Sequence, residues 1–199
     1  MVAETPRVIT LAAVRRALRD HRPQPADAPG ARPAAVALIL VEDTNGLEAL
    51  FIRRAERADD PWSGQVALPG GRHEPGDRDL LATAIRETQE ETGVDLAAAE
   101  RLGALDDLYP RTPTLPPVVV RPFVFALERR VVLVPSDEVQ RAFWLPLQRL
   151  TDPAVRREVT LTVQGVERTF PAYLVADDAL IWGLTERILT PFLHLTGQL

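Results

Sequence analysis

The chain has 199 residues and no cysteine, which excludes disulfide bonds and thiol nucleophiles. Its three histidines, His21, His73 and His194, are scattered and do not form a zinc-binding set. It lacks a basic tract, which argues against nucleic-acid binding, and it lacks an apolar run long enough to cross a membrane. The N-terminus has neither the basic nor the apolar region of a secretory signal. We therefore expect a cytoplasmic protein that binds neither nucleic acid nor membranes.

The rest of the composition is that of a globular protein: 46% of the residues are hydrophobic, 26% are charged, and the net charge is −5. Residues 10–20 have apolar side chains at helical spacing, and Thr10 can cap that helix. Four prolines between residues 21 and 33 predict an extended linker. We divide the chain into residues 1–33, a helix and a proline-rich linker, and residues 34–199, the main domain.

The main domain alternates between predicted strands and helices. Residues 34–41 form a continuous apolar run, typical of a buried strand, and Asn45-Gly46 predicts a tight hairpin to a partner strand at 47–53. Pro122 predicts that strand 118–127 is an edge strand or contains a bulge. A terminal helix is predicted to begin at Ile181. Further strands are predicted at 65–68, 101–108, 158–163, 167–170 and 173–175.

The most informative stretch runs from Gly70-Gly71 through Asp77 to a helix with Asp79 as its N-cap and Gly93 at its end. Three carboxylates at i, i+3 and i+4 share one helix face: Glu87, Glu90 and Glu91. We expect that face to point to the surface. Like charges at this spacing repel, so a positive partner is expected. Arg86 is one candidate, and a divalent cation such as Mg²⁺, which prefers carboxylate and phosphate oxygens, is the stronger one.

This order of residues resembles the Nudix box, in which a glycine, an acid, an Arg-Glu pair and a Glu-Glu pair precede a glycine and an apolar residue. Two departures, Asp77 in place of glutamate and one extra residue before Arg86, are shared by some members of the coenzyme A pyrophosphatase branch. The signature of that branch is also partly present, in Arg54-Ala55 and in the spacing from Gly64 to Pro69-Gly70-Gly71. Asp59 and Leu68 depart from it.

The resemblance implies an α/β/α sandwich with a mixed central sheet, and diphosphate hydrolysis that depends on Mg²⁺ or Mn²⁺. The implied metal ligands are the Gly71 carbonyl, Glu87, Glu90 and Glu91. The general base is left open among Glu87, Glu90 and Glu138, whose Ser-Asp-Glu-Val context is common in this branch. Arg86 is predicted to hold a catalytic carboxylate in place, and Asp77 is predicted to support the loop.

The substrate is predicted to be a small nucleoside diphosphate derivative. Guanidinium groups bind phosphate oxygens in bidentate fashion, so Arg53, Arg54 and Arg57, with Gly70, are the predicted substrate-binding residues, although each arginine has surface solubility as its alternative role. The first hypothesis is cleavage of coenzyme A or a derivative to 3′,5′-ADP and 4′-phosphopantetheine. The alternatives are ADP-ribose, a dinucleotide or a nucleoside triphosphate as substrate, or a non-catalytic binding module. A homodimer is a further prediction.

Overall fold

The computed structural model describes residues 8–44, 46–57, 63–110, 117–163, 165–176 and 179–198. The predicted hairpin residue Asn45, the loop residues Asp59 and Trp62, and Gln164 lie outside the described residues. The helices are α1 (Leu11–Asp20), α2 (Leu80–Thr92) and α3 (Leu184–Leu195), and a short 3-10 helix covers Leu147–Thr151. The strands are β1 (Arg32–Asp43), β2 (Gly46–Arg54), β3 (Val66–Ala67), β4 (Gly70–Arg72), β5 (Glu100–Ala104), β6 (Val118–Leu127), β7 (Val139–Pro146), β8 (Arg156–Val163), β9 (Val166–Ala176) and β10 (Ala179–Trp182).

The main sheet is mixed. Its strand order is β3-β2-β1-β6-β5, with β4 also paired to β1 and β7 also paired to β2. β1 and β6 run parallel from Arg32 opposite Val118 to Val41 opposite Leu127, and the other pairings are antiparallel. β1 is buried on both faces over residues 34–41, which explains its unbroken apolar sequence.

Alternation along β1 and β2 divides the core into two parts, because successive side chains of a strand point to opposite faces. Leu38, Leu40 and Phe51 face one side, where they belong to the same core cluster as α1 and α3. Ile39 and Leu50 face the other side, where they pack with α2. The predicted α/β/α sandwich with a mixed sheet is therefore confirmed. A second sheet of order β10-β9-β8 contacts β3 through β10.

The N-terminal helix is capped as predicted, with the Thr10 hydroxyl accepting from the Ala13 N–H at 3.3 Å. Its apolar stripe of Leu11, Val14 and Leu18 is buried in the core of the main domain. On its outer face, Arg15 Nη2 lies 2.6 Å from Glu100 Oε2. α1 is therefore packed on the sheet and contributes to its core.

The linker is extended, as its prolines predicted, and residues 106–107 hold it in place. The Gln24 N–H donates to Asp106 Oδ1 at 2.9 Å, and the Asp107 N–H donates back to the Gln24 carbonyl at 2.9 Å. Arg121 Nε in turn donates to Asp107 Oδ1 at 2.7 Å. β1 begins at Arg32, two residues inside the predicted linker, and the division at residues 33/34 stays a prediction.

Several predicted elements differ from the structure. The strand predicted at 101–108 ends at Ala104 as β5, and the strands predicted at 167–170 and 173–175 form one strand, β9. β6 lies between β1 and β5, so the prediction that Pro122 marks an edge strand is wrong. Its missing N–H is tolerated because the regular β5–β6 ladder ends at Phe123, while the irregularity lies in β5, between Arg101 and Gly103. The terminal helix begins at Leu184, not Ile181, because the preceding residues form β10 and Gly183, at φ 65°, redirects the chain.

Replacing Val14 by alanine tests whether α1 belongs to the same cooperative unit as the sheet. Val14 is fully buried, so we expect a single unfolding transition whose free energy falls by roughly 1–3 kcal/mol. Denaturant unfolding followed by circular dichroism measures this, with Arg16→Ala, an exposed change on the same helix, as the control. A separate early transition would show instead that residues 1–33 unfold on their own.

Candidate functional site

The loop before α2 depends on two glycines that allow close backbone contact. Gly70 and Gly71 pair with Val36 and Ala35 of β1. Gly70 has φ 150°, and a Cβ there would overlap the Ala35 carbonyl. A Cβ on Gly71 would overlap the carboxylate of Glu87. The backbone of this loop thus touches β1 on one side and the acidic face of α2 on the other.

Asp77 organises the rest of this loop. Its Oδ1 accepts from Arg86 Nε at 2.8 Å, and its Oδ2 accepts from Arg86 Nη2 at 3.0 Å, from Thr83 Oγ1 at 2.8 Å and from the Glu74 N–H at 3.0 Å. The Arg86 guanidinium holds the pKa of Asp77 well below its usual range. Asp77 thus connects the loop to the first two turns of α2, and its supporting role stays a prediction.

Helix α2 begins and ends where the sequence predicts. The Asp79 carboxylate accepts from the Ala82 N–H at 2.8 Å, and Gly93 ends the helix in the left-handed conformation at φ 72°. The side chains of Glu87, Glu90 and Glu91 are 17%, 57% and 5% exposed. The prediction that all three point to the surface is therefore wrong for Glu91, because the Gly70-Gly71 loop covers it.

Two arginines from different elements offset the repulsion within this cluster. Arg86 Nη1 lies 3.0 Å from Glu87 Oε1 and 3.0 Å from Glu90 Oε2. Glu91 has different partners, since its Oε2 accepts from the Gly70 N–H at 2.8 Å and its Oε1 lies 3.8 Å from Arg54 Nη1. Arg86 therefore serves the exposed side of the cluster and Arg54 its buried side.

Burial nevertheless has the largest effect on the pKa values of Glu91 and Glu87. It raises the pKa of Glu91 to about 7, against the opposing effects of the Gly70 N–H and Arg54, and the charges of Glu87 and Glu138 raise it further. Burial also raises the pKa of Glu87, which Arg86 opposes. The cluster is thus short of positive charge at its buried end.

Glu138 lies at the same end of α2, although it is 47 residues away from Glu91 in sequence. The Ser136 N–H donates to the Glu91 carbonyl at 3.2 Å, which brings the segment before β7 onto the helix terminus. Glu138 is exposed, and its Oε1 lies 3.2 Å from Arg57 Nη1. The sequence predicted Glu138 and Arg57 as separate candidates, and the structure pairs them.

The three predicted substrate-binding arginines do not converge. Arg54 and Arg57 contact Glu91 and Glu138, on the α2 side of the sheet. Arg53, one residue earlier on β2, faces the opposite side, where its strand partner Val66 joins the core shared by α1 and α3. There it lines a cavity of about 410 Å³ between residues 63–66 and the second sheet.

Sequence reasoning missed Thr83, which is fully buried. Its hydroxyl donates to Asp77, and it lies 3.0 Å from His73 Nδ1, so it links the loop to the first turn of α2. Helical spacing contained the signal, since Asp79, Thr83 and Arg86 occur at i, i+4 and i+7 and therefore share a face.

The donor set suits a hard divalent cation, because its members are carboxylate and backbone oxygens. As the side chains stand, no three His, Asp or Glu groups within the described residues converge closely enough to hold a metal ion. Glu90 is turned toward Arg86, whereas Glu87 and Glu91 flank the Gly70-Gly71 backbone. Glu91 is buried beside a glycine backbone, with too little positive charge around it. This environment fits such an ion, which would supply the missing positive charge.

Comparison with known proteins identifies the family. The model of the NUDIX domain matches residues 31–163. The chain belongs to the Nudix hydrolase family. Nudix hydrolases are pyrophosphohydrolases that act on phosphorus-containing anhydrides, and they generally use divalent metal ions. The matched residues include the Gly70-Gly71 loop, α2 and Glu138, so the predicted resemblance is confirmed.

The relatives include the mitochondrial coenzyme A diphosphatase NUDT8 of Homo sapiens, 32% identical over 166 residues, which cover 81% of this chain and 69% of the relative. The uncharacterized Nudix hydrolase NudL of Yersinia pestis is 29% identical over 75% of this chain and 71% of its own length. Among solved structures, a MutT/nudix family protein from Enterococcus faecalis aligns with a TM-score of 0.56 at 20% identity, over 94% of this chain and 70% of that one. This last likeness shows the fold alone.

Within the described residues, no helix is both long and apolar enough to span a bilayer. The predicted cytoplasmic location stays a prediction, and the name of the human relative places that protein in mitochondria.

Replacing Glu91 by glutamine tests the cost of burying this carboxylate. Its pKa is about 7 in the folded chain, against a usual value of 4.5 for a glutamate, so the folded state holds the proton more tightly. Without metal, wild type should therefore lose stability as the pH rises from 4.5 through 7, by up to about 3 kcal/mol at roughly 1.4 kcal/mol per pKa unit. The variant should lack this loss, so its advantage over wild type should grow with pH.

Urea unfolding in EDTA between pH 4.5 and 8 measures this difference. Glu158→Gln, an exposed carboxylate on β8, serves as the control and should follow wild type. Parallel pH profiles for wild type and the Glu91 variant would show that Glu91 titrates like an exposed carboxylate.

Proposed function

We propose that this Nudix hydrolase cleaves coenzyme A or a coenzyme A derivative to 3′,5′-ADP and 4′-phosphopantetheine, by attack of water on the diphosphate. The observation that carries the proposal is the buried Glu91 beside Glu87 and the Gly70-Gly71 backbone, a cluster that needs a cation. The similarity to a coenzyme A diphosphatase, together with the partial upstream signature, favours this substrate over other diphosphates.

The metal ligands would be Glu87, Glu90, Glu91 and the Gly71 carbonyl. Bound there, Mg²⁺ or Mn²⁺ would neutralise diphosphate charge and lower the pKa of the attacking water. Glu90 would exchange its contact with Arg86 for the ion, while Arg86 keeps its two hydrogen bonds to Asp77. Arg86 would thus hold the loop and helix in register as the carboxylates change partners.

We propose Glu138 as the proton acceptor, in preference to the helix residues Glu87 and Glu90. It is exposed, it lies outside the proposed ligand set, and its charge acts on Glu91. Arg57 and Arg54, which pair with Glu138 and Glu91, would turn to the diphosphate oxygens once substrate is bound. The Gly70 N–H would keep Glu91 in place.

A hydrolysis panel tests the substrate. With Mg²⁺ present, we expect coenzyme A to be cleaved to 3′,5′-ADP well above ADP-ribose, dinucleotides and nucleoside triphosphates, and we expect no turnover in EDTA. Chromatography of the products measures this, and light scattering on the same preparation tests the predicted homodimer. Faster cleavage of another diphosphate would transfer the proposal to that substrate. Binding without turnover at any divalent-metal concentration would instead favour the non-catalytic module.

Replacing Glu138 by glutamine separates proton transfer from metal binding. A general base contributes about 10²–10⁴-fold, so kcat should fall by that order while the Mg²⁺ concentration for half-maximal rate stays unchanged. Steady-state kinetics across a Mg²⁺ titration measures both quantities, again with Glu158→Gln as the control. A large rise in the Mg²⁺ requirement with kcat restored at saturation would make Glu138 a metal ligand instead.

A further inference from the structure

The cavity on the far side of β2 has no role in the chemistry proposed above. It measures about 410 Å³, within the range of roughly 300–1,000 Å³ typical of small-molecule sites. One wall is the chain around Ser63 and Gln65, and the other comes from the second sheet, including Thr162, Leu180 and Trp182. Arg53 also lines it.

The lining combines three kinds of group that suit a phosphorylated nucleoside. Trp182 is half-buried, and its ring centroid lies 5.0 Å from that of Phe170 at 49°, which supports an indole that can stack on a base. Gln65, Ser63 and Thr162 provide amide and hydroxyl groups. Arg53 provides a guanidinium.

Two contacts connect this cavity to the carboxylate cluster. The Arg57 N–H donates to Ser63 Oγ at 2.7 Å, while the Arg57 side chain reaches Glu138. The Arg54 N–H donates to the Gln65 carbonyl at 3.0 Å, while the Arg54 side chain approaches Glu91. A flexible substrate that bends around the end of β2 would therefore have its diphosphate on one side of the sheet and one of its ends on the other.

We propose that this cavity binds the 3′-phosphoadenosine end of the substrate, with Trp182 against the adenine and Arg53 at the 3′-phosphate. The proposal rests on the proposed function, since it assigns one end of the same substrate. A charged guanidinium favours the phosphorylated nucleoside over the uncharged pantetheine arm. Leu180 and Trp182 lie on β10, beyond residues 31–163, so β10 would supply selectivity that the matched domain does not.

Calorimetry on the metal-free protein tests this assignment independently of turnover. The probes are 3′,5′-ADP and 5′-AMP, which differ in the 3′-phosphate alone, and 4′-phosphopantetheine. Wild type should prefer 3′,5′-ADP to 5′-AMP. Arg53→Gln should weaken 3′,5′-ADP by about 10- to 100-fold, as expected for a charge-assisted hydrogen bond, and should leave 5′-AMP unchanged. Trp182→Leu should weaken both nucleotides by roughly 10-fold.

The chain offers matched controls. Arg141 lies directly opposite Arg53 on β7 and does not line this cavity, so Arg141→Gln should bind like wild type. Trp144→Leu replaces a half-buried tryptophan that also lies outside it. Thermal unfolding of every variant identifies any that fails to fold, and Arg53→Lys, which keeps the charge, should retain part of the preference for 3′,5′-ADP.

Kinetics separates failure of the subsite from failure of the proposed function. In wild type, kcat/KM for coenzyme A should exceed that for 3′-dephospho-coenzyme A, and Arg53→Gln should remove the difference through KM while kcat is retained. If wild type cleaves coenzyme A, but the ratio of kcat/KM for coenzyme A to kcat/KM for 3′-dephospho-coenzyme A is the same in Arg53→Gln as in wild type, the subsite alone is overturned. A different contrary result would be that Trp182→Leu weakens 4′-phosphopantetheine binding and leaves nucleotide affinity unchanged. That result would overturn the assignment to the 3′-phosphoadenosine end and favour the pantetheine arm. A wild type that cleaves neither compound would overturn the proposed function.

Discussion

The ion pair between Arg86 and Asp77 is the contact on which the site depends. Asp77 is almost fully enclosed, and it receives the guanidinium together with Thr83 and the backbone of Glu74. Removing Arg86 would leave this carboxylate without its countercharge. The same guanidinium also contacts Glu87 and Glu90. One side chain therefore fixes the loop, sets the helix against it and lowers the repulsion that the acidic face creates.

The last two side chains of strand β2, Arg53 and Arg54, lie on opposite faces of the main sheet. Because neighbouring residues of a strand point to opposite sides, Arg54 reaches Glu91 whereas Arg53 reaches the cavity beneath the second sheet. The backbone joins the two sides, since Arg54 also bonds Gln65 at the cavity wall. Under the proposed function, bond cleavage and recognition of the substrate's far end would be separated by a single residue step, which gives geometric specificity without crowding the carboxylates.

Local signals predicted what local interactions determine. Asp79 and Gly93 mark the ends of α2 because capping is satisfied within one turn, and the spacing of Glu87, Glu90 and Glu91 follows from helix geometry. The burial of Glu91 was not predicted, because helical spacing does not show that the loop before α2 folds back onto the last turn of the helix. Likewise, Pro122 is accommodated in a central strand by the way β5 ends. The separation of Arg53 from Arg54 was not predicted, because the predicted strand ended at Arg53, whereas β2 extends to Arg54 and so places the two side chains on opposite faces.

Burial of Glu91 lowers the stability of the folded chain, whereas burial of the apolar core around it raises that stability. Its carboxylate is enclosed next to Glu87, with Arg54 at 3.8 Å as its nearest described cation, so the folded chain bears a desolvation cost near neutral pH. A ligand that binds the folded state alone stabilises it by mass action. A bound divalent ion would therefore offset that cost where it arises: metal affinity would rise with pH through the pKa of Glu91, and this gain would cancel the loss of stability expected without metal. The acidic face of α2 would then be a binding site whose repulsion and desolvation cost are offset only when the ion is bound.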